Sequence, residues 1–373
     1  MRIGVPKSRF FFPDEFKILF FIVFCLLAVS FLGQYSAFNG EFNGFVQKHL
    51  IRIAAGLIIM LLAYLVAFSV WSNFAYVFYA FALLSLIVVS ILGSIKSGAQ
   101  RWIDFHLFTF QPSELMKLAL ILALAKYYSL LSSFETREPK NHIFPFILTL
   151  LPSVLVLKQP DLGTAGILFC VGVCMIFLSG FPLKIFGALI VGGLSLCPFG
   201  WFFLYDYQKK RILSFLNPDY DPLGAGYHVL QSKIAIGSGH IFGRGFLKGT
   251  QSKLNFLPEK NTDFIFTTIA EEIGFIGAFF IILLFCALTI YFFWVASEAR
   301  RPFPWLLCHG LGVLLFLHVF VNIAMVMGII PTVGIPLPFL SYGGSSLITF
   351  MISCGLVMSA LSHRKIAHKR VKN

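Results

Sequence analysis

Apolar residues in this chain come in long unbroken blocks, without the polar face of a surface helix or the alternation of a half-buried strand. The blocks run from Ile18 to Phe38, His49 to Ser69, Asn73 to Gly93, Leu115 to Leu131 and His142 to Leu157. They continue from Leu162 to Gly180, Leu183 to Tyr205, Phe264 to Ala296, Leu306 to Ile330 and Ser345 to Leu361. As helices, segments of this length can cross about 30 Å of hydrocarbon. Barrel strands would instead alternate polar and apolar over about ten residues. The pattern predicts an all-α, polytopic membrane protein of about ten transmembrane helices, forming one membrane domain over residues 1–373.

Composition supports this class: 58% of residues are hydrophobic and 12% charged, where a soluble domain carries about a quarter charged. The first span is too long for a signal-peptide core and lacks a small-residue cleavage site, so it is expected to stay as an anchor. The seven cysteines all fall in apolar spans, which is not a disulfide framework. Cys170 and Cys174 share a helix face, but no nearby His or carboxylate completes a metal site.

The net charge of +13 would suggest nucleic acid in a soluble protein, but in a membrane protein it is read by side. With both termini cytoplasmic, the inner segments hold fifteen Lys or Arg, including Arg2, Lys7, Arg9, Lys17, Arg300, Arg301 and the basic tail from Arg364. The outer segments hold fourteen, eight of them in one long loop, and long loops cross regardless of charge. The short loops therefore orient the chain, and no nucleic-acid partner is implied. A multi-pass membrane protein with both termini cytoplasmic is expected.

That one large extracytoplasmic loop, residues 206–262, carries eight Lys or Arg against Asp206, Asp219, Asp221 and Glu259. A loop of this length in a compact protein is usually functional. Turns are expected at Asn217-Pro218, Asp221-Pro222 and the Gly237–Gly249 stretch. Between them Tyr227, Leu230 and Ile234 recur at helical spacing, predicting a short amphipathic helix on the membrane surface. The excess positive charge calls for an anionic partner at the outer surface, with lipid headgroups as the simpler alternative.

Charged groups at membrane depth are costly and tend to line a cavity or site. Five clusters stand out: Gln100-Arg101-Trp102-Ile103-Asp104; Gln111-Pro112-Ser113-Glu114 with Lys117; Lys158-Gln159-Pro160-Asp161; Leu257 to Asp263, with Glu259; and Glu271-Glu272 deeper in the eighth span. On the topology above the first four open outward and predict a polar cavity facing the exterior. Glu271 and Glu272 are expected within protein, and His318 and Asn322, four apart in the ninth span, as interhelical hydrogen-bonders. Each pair could alternatively be a structural ion pair, and Trp102 an interfacial belt residue.

The stretches FLNPDYDPLGAGYHVLQSKIAIGSG, GRGFLKGTQSKLNFLPEKNTDFIF and AEEIG resemble the signature loop of the SEDS family (shape, elongation, division and sporulation), which comprises RodA, FtsW and a sporulation relative. GAQRWID, FQPSELMKL, KQPDLGT and GIPLPFLSYGGSS extend the resemblance over nearly the whole chain. The short N-terminus and the DPLGAGYH and GTQS wording are closer to the RodA branch than to the divisome branch. His240 and Asn261 depart from the pattern, standing where glycine and histidine are expected.

The resemblance implies a peptidoglycan glycosyltransferase that polymerises lipid II on the outer leaflet, working with a class B penicillin-binding protein and the elongation complex. It maps the catalytic aspartate onto Asp263, taken as a helix-opening residue capped by Thr262 and therefore kept ionised. Arg101, Lys117 and Lys158 would bind the pyrophosphate, and Trp102, Glu114, Asp161 and Glu259 would shape the site. A divalent cation, Mg or Mn, is compatible with this chemistry, but no ligand set is readable. Two other readings use the same clusters: a lipid II flippase, which would need a path open to both faces and often an internal repeat, and a scaffold for a transpeptidase. No repeat of the two halves is visible.

Overall fold

A computed structural model describes residues 14–96, 99–104, 109–217, 224–254 and 259–372. Arg2, Lys7 and Arg9, the turn expected at Asp221-Pro222 and most of that at Asn217-Pro218, Asp219 and Asp221, and Leu257-Pro258 lie outside the described residues.

Ten long helices stand at the ten apolar blocks: α1 (Asp14–Ala37), α2 (Gly44–Leu65), α4 (Ala75–Leu92), α5 (Pro112–Tyr128), α6 (Ile143–Lys158), α7 (Leu162–Leu178), α8 (Leu183–Gly200), α12 (Ile265–Ser297), α13 (Pro302–Val326) and α14 (Gly344–Lys372). A short α3 (Phe68–Asn73) joins α2 to α4. Among the described residues, six segments are by themselves long and apolar enough to cross a membrane. Glu114 in the first turn of α5 and Lys117 in the next lower its apolarity. Outward-facing positions are themselves apolar, such as Phe21, Phe24, Ile91 and Ile290, as lipid rather than water demands. The chain is a multi-pass, all-α membrane protein.

The helices pack as pairs, α2 on α14, α12 on α13, α4 on α5 and α6 on α7, with α1 against α12 and α13 against α5 and α7. Cys25, Cys170, Cys174, Cys286, Cys308 and Cys354 are free thiols.

Two features of the segments between the long helices differ from the sequence reading. The connection after α4 is a small antiparallel sheet, β1 (Ser94–Lys96), β2 (Ala99–Asp104) and β3 (Thr109–Phe110), in order β1-β2-β3. The long loop holds more helix than expected: α9 (Asp206–Leu216) precedes α10 (Ala225–Ser238), which contains the expected amphipathic stretch, and α11 (Thr250–Lys253) follows.

The loop is also stitched into α12, which breaks at Gly274 (φ 69°, ψ −168°). Phe275 N and Ile276 N, deprived of helical acceptors, donate to His240 O (2.9 Å) and Ile241 O (3.2 Å). In return Arg244 N and Gly245 N donate to Glu271 O and Glu272 O, both at 3.0 Å. Glu271 and Glu272 are buried, as expected. Glu271 Oε1 accepts from Thr250 N (2.7 Å), Thr250 Oγ1 (3.0 Å) and Gln251 N (3.1 Å), and the Ser36 hydroxyl donates to Glu272. The exchange satisfies backbone groups that a broken helix would otherwise leave unpaired in an apolar setting.

Candidate active site

Asp263 sits one residue before the flank of α12, and its backbone is held carbonyl by carbonyl. Asn261 O accepts from Tyr342 N (2.8 Å) and Gln34 Nε2 (2.9 Å). Thr262 O accepts from Ser341 Oγ (2.7 Å). Asp263 O accepts from Asn322 Nδ2 (2.9 Å), which also donates to Ile335 O (2.7 Å). Three elements, α1, α13 and the 331–343 connection, thus converge on a three-residue segment. His318 and Asn322 are the buried hydrogen-bonding pair expected on α13.

The cap differs from expectation. The Thr262 hydroxyl donates to Glu259 Oε2 (2.7 Å) rather than capping α12, and the residue flanking the helix is Phe264. Asp263 is therefore not kept ionised by a helix N-terminus. Burial raises its proton affinity first, and the nearby Glu259 and Asp161 charges raise it further. Arg211 and Arg101 pull the other way, leaving a pKa of about 7.

Around Asp263 the structure gathers part of the expected set. Arg101, on β2, donates from Nε to Gln159 O (3.2 Å) and from its second guanidinium arm to Pro160 O, and lies 3.7 Å from Asp161 Oδ2. Asp161 is buried and caps α7, accepting from Thr164 N (3.1 Å). Trp102, next to Arg101, is half-buried, Lys158 is exposed at the end of α6, and Glu259 is exposed.

Glu114 and Lys117 are not brought to this cluster. Lys117 is 1% exposed, with its ammonium 2.8 Å from Glu114 Oε1 and 2.8 Å from His318 Nε2. The i,i+3 spacing pairs them as expected, but inside the bundle. Lys117, expected in the pyrophosphate set, has its ammonium engaged by Glu114 and His318 inside the bundle.

Sequence reasoning missed Tyr207 and Arg211. They lie four apart on α9, hence on one face, within a run that reads as undifferentiated basic charge, QKKR. Tyr207 Oη donates to Pro160 O (2.6 Å) and Arg211 Nη1 to Thr332 O (3.2 Å), with the guanidinium 5.8 Å from the Tyr207 ring. Among the described residues, no group of three His, Cys, Asp or Glu is placed to hold a metal ion.

Residues 14–366 match the model of a family described as cell cycle protein, that of FtsW, RodA and SpoVE. The chain is 42% identical over 351 residues to peptidoglycan glycosyltransferase MrdB of Escherichia coli strain K12, covering 94% of each chain. It is 38% identical to a probable peptidoglycan glycosyltransferase FtsW of Geobacter, covering 91% of this chain and 92% of that one. Among solved structures, a chain from a peptidoglycan synthase complex that coordinates polymerization and crosslinking matches with a TM-score of 0.80 and 30% identity, covering 94% and 98%. The Thermus thermophilus rod shape determining protein RodA matches with a TM-score of 0.72 and 27% identity, covering 96% and 99%.

Proposed function

Because the chain belongs to the FtsW, RodA and SpoVE family of cell cycle proteins, we propose that it is a peptidoglycan glycosyltransferase, polymerising lipid II into glycan strands on the outer leaflet of the cytoplasmic membrane for cell elongation and shape. The observation that carries the reading is Asp263: a carboxyl with a pKa of about 7, immobilised at its backbone and acted on by two guanidinium groups. A general base works best when its pKa lies near the working pH.

In this reading the ionised Asp263 takes the proton from the acceptor sugar hydroxyl as that oxygen attacks the donor's anomeric carbon. The bond to undecaprenyl pyrophosphate breaks, and Arg101 and Arg211 stabilise the negative charge that develops on the leaving group. Exposed Lys158 adds positive charge at the same end of the bundle, and Trp102 offers a face for sugar or lipid. Asp161 and Glu259 hold Arg101 and Thr262 in place. Were a Mg or Mn ion bound, it would ask for only one or two protein carboxylates, and Asp161 and Glu259, whose charges act on Asp263, are those that would hold it. It would supply further neutralisation of the leaving group.

The same reading places both termini in the cytoplasm and the 206–262 loop outside, and gives the chain a class B penicillin-binding protein as partner within an elongation complex. The similarity to a chain of a synthase complex supports that pairing. The test is to purify the chain with such a partner, supply labelled lipid II and separate the products by size. A ladder of glycan polymers is expected. Unchanged lipid II that becomes accessible across a vesicle bilayer would make it a flippase instead.

A further inference from the structure

Positive charge gathers in the first half of α2 with no acid to meet it. Lys48 and Arg52 lie four apart, hence on one face of the helix, with Lys48 exposed and Arg52 half-buried. Among the described residues, neither side chain is in an ion pair or a hydrogen bond. The first turns of α2 and of the neighbouring α14 hold no acidic residue.

What holds the Arg52 guanidinium is the ring of Tyr342, 4.3 Å away. The stack occupies a face of the planar fork and leaves its edge N–H donors unused. Gly344, the first residue of α14, stands beside it: a Cβ there would come within 3.3 Å of Arg52 Nε. The cation is thus set against a helix N-terminus, the end where the peptide dipoles already put positive charge. In that first turn the N–H groups of Gly344, Ser345 and Ser346 lack intrahelical acceptors. The Ser346 hydroxyl, in a residue 6% exposed, has no partner either. Its Cβ lies 3.7 Å from where a Gly343 Cβ would stand, so the side chain leans over the start of the helix.

A stacked guanidinium, an ammonium and a helix start, none of them neutralised, are costly in a membrane span and call for an anion. The surroundings say what kind. Phe45, 53% exposed, stacks on Phe38 at 5.2 Å and meets the Tyr342 ring at 6.1 Å. Ile51, 68% exposed, lies on the same two turns of α2. An anion that brings its own hydrocarbon satisfies both the charge and this apolar surface. One guanidinium, one ammonium and one helix N-terminus match a single phosphodiester.

We propose that Lys48, Arg52 and the N-terminus of α14 form a binding site for the headgroup phosphate of an anionic phospholipid, whose chains lie along Phe45 and Ile51. The lipid belongs to the leaflet at that end of the bundle, the outer one on the topology proposed above. Nothing else in the proposal depends on the glycosyltransferase reading.

The test uses the full chain, purified and stripped of phospholipid. Phosphatidylglycerol serves as the anionic probe, phosphatidylcholine as the zwitterionic one and lipid II as the substrate control. Bound lipids are counted by native mass spectrometry as each is titrated, alongside the melting temperature. Phosphatidylglycerol should bind more tightly than phosphatidylcholine and raise the melting temperature, as a ligand of the folded chain does. Arg52→Gln should weaken phosphatidylglycerol binding by on the order of tenfold, the loss of one charge-assisted contact. Lys48→Gln should weaken it by less, because that side chain is exposed. Arg52→Lys should fall between the parent and Arg52→Gln, keeping the charge without the fork. Lipid II affinity should be the same in all of them. Should Arg52→Gln fail to fold, Lys48→Gln and Arg52→Lys decide. Phosphatidylglycerol affinity unchanged by the substitutions, or equal for the two phospholipids in the parent, would overturn the proposal. A loss confined to lipid II would overturn it as well and make the cluster a substrate site.

Discussion

Arg211 and Asp263 meet over a single glycine: a Cβ built on Gly334 would stand 3.9 Å from Arg211 Nη1 and 3.5 Å from Asp263 Oδ2. The two charged groups come from segments some fifty residues apart, and the 331–343 connection gives them a shared floor. Arg211 therefore acts twice, once on the proton affinity of the base and once on the charge of the leaving group.

Arg211→Ala should lower the rate of polymerisation by on the order of 10²-fold, the usual loss for one preorganised electrostatic contact. It should also move the pH profile to higher pH, because removing a nearby cation leaves Asp263 holding its proton more tightly. Arg211→Lys should restore much of the pH midpoint and less of the rate, since a lysine supplies the charge without the fork that reaches Thr332 O. A profile that does not move in Arg211→Ala would separate Arg211 from the base.

The pKa of Asp263 sets a pH dependence with a definite sign. Polymerisation should rise as pH increases through about 7, where the carboxyl loses its proton and becomes a base. Stability should move in the opposite direction. A carboxyl raised from 3.8 to about 7 on folding binds its proton more tightly in the folded chain, so stability is lost as pH climbs between these values. Asp263→Asn should reduce polymer formation by about 10² to 10⁴-fold, leave lipid II binding intact, and make the chain more stable than the parent above neutrality. Robust polymer from Asp263→Asn would end the assignment and turn attention to Asp161 and Glu259.

The spans were readable because length and unbroken apolarity suffice to identify a membrane helix, and the ten helices stand where the ten blocks lie. What could not be read depends on partners distant in sequence. The i,i+3 pairing of Glu114 with Lys117 is visible in the chain, but the third member, His318, lies 201 positions away from Lys117. The break at Gly274 is stable only because residues 239–249 supply its missing acceptors. Asp263 was legible as a candidate, yet its protonation was not. Proximity to a helix start suggested an ionised group, whereas burial and the Glu259 charge dominate. Arg211 was hidden for another reason: among three adjacent basic residues on α9, only the fold shows which one turns inward.

Asn261 stands where the family pattern has histidine, and the structure shows what the position contributes through its backbone. Its carbonyl accepts from both Tyr342 N and Gln34 Nε2, contacts that any side chain preserves. Asn261→His should therefore change turnover only modestly and leave the melting temperature near the parent value. An amide cannot titrate near neutrality, so a gain of several decades in rate with histidine would show that a proton carrier had been missing there.

His240, the other departure from the pattern, adopts φ +46° where the chain leaves α10 and enters the break in α12. The left-handed conformation is imposed by the task, because His240 O must reach Phe275 N at 2.9 Å. Such a conformation costs an L-residue about 1–2 kcal/mol, and glycine avoids most of it. Against that, glycine gains freedom in the unfolded chain, worth about 0.4–1 kcal/mol. His240→Gly should thus stabilise the protein by somewhat less than about 1 kcal/mol, without affecting polymerisation, since the exposed imidazole makes no contact with the Asp263 region. His240→Ala keeps the Cβ and should gain nothing. Melting temperatures ordered glycine above histidine, with alanine no higher than histidine, are expected. Alanine rising as far as glycine would mean that the imidazole, and not the backbone, is what this position tolerates poorly.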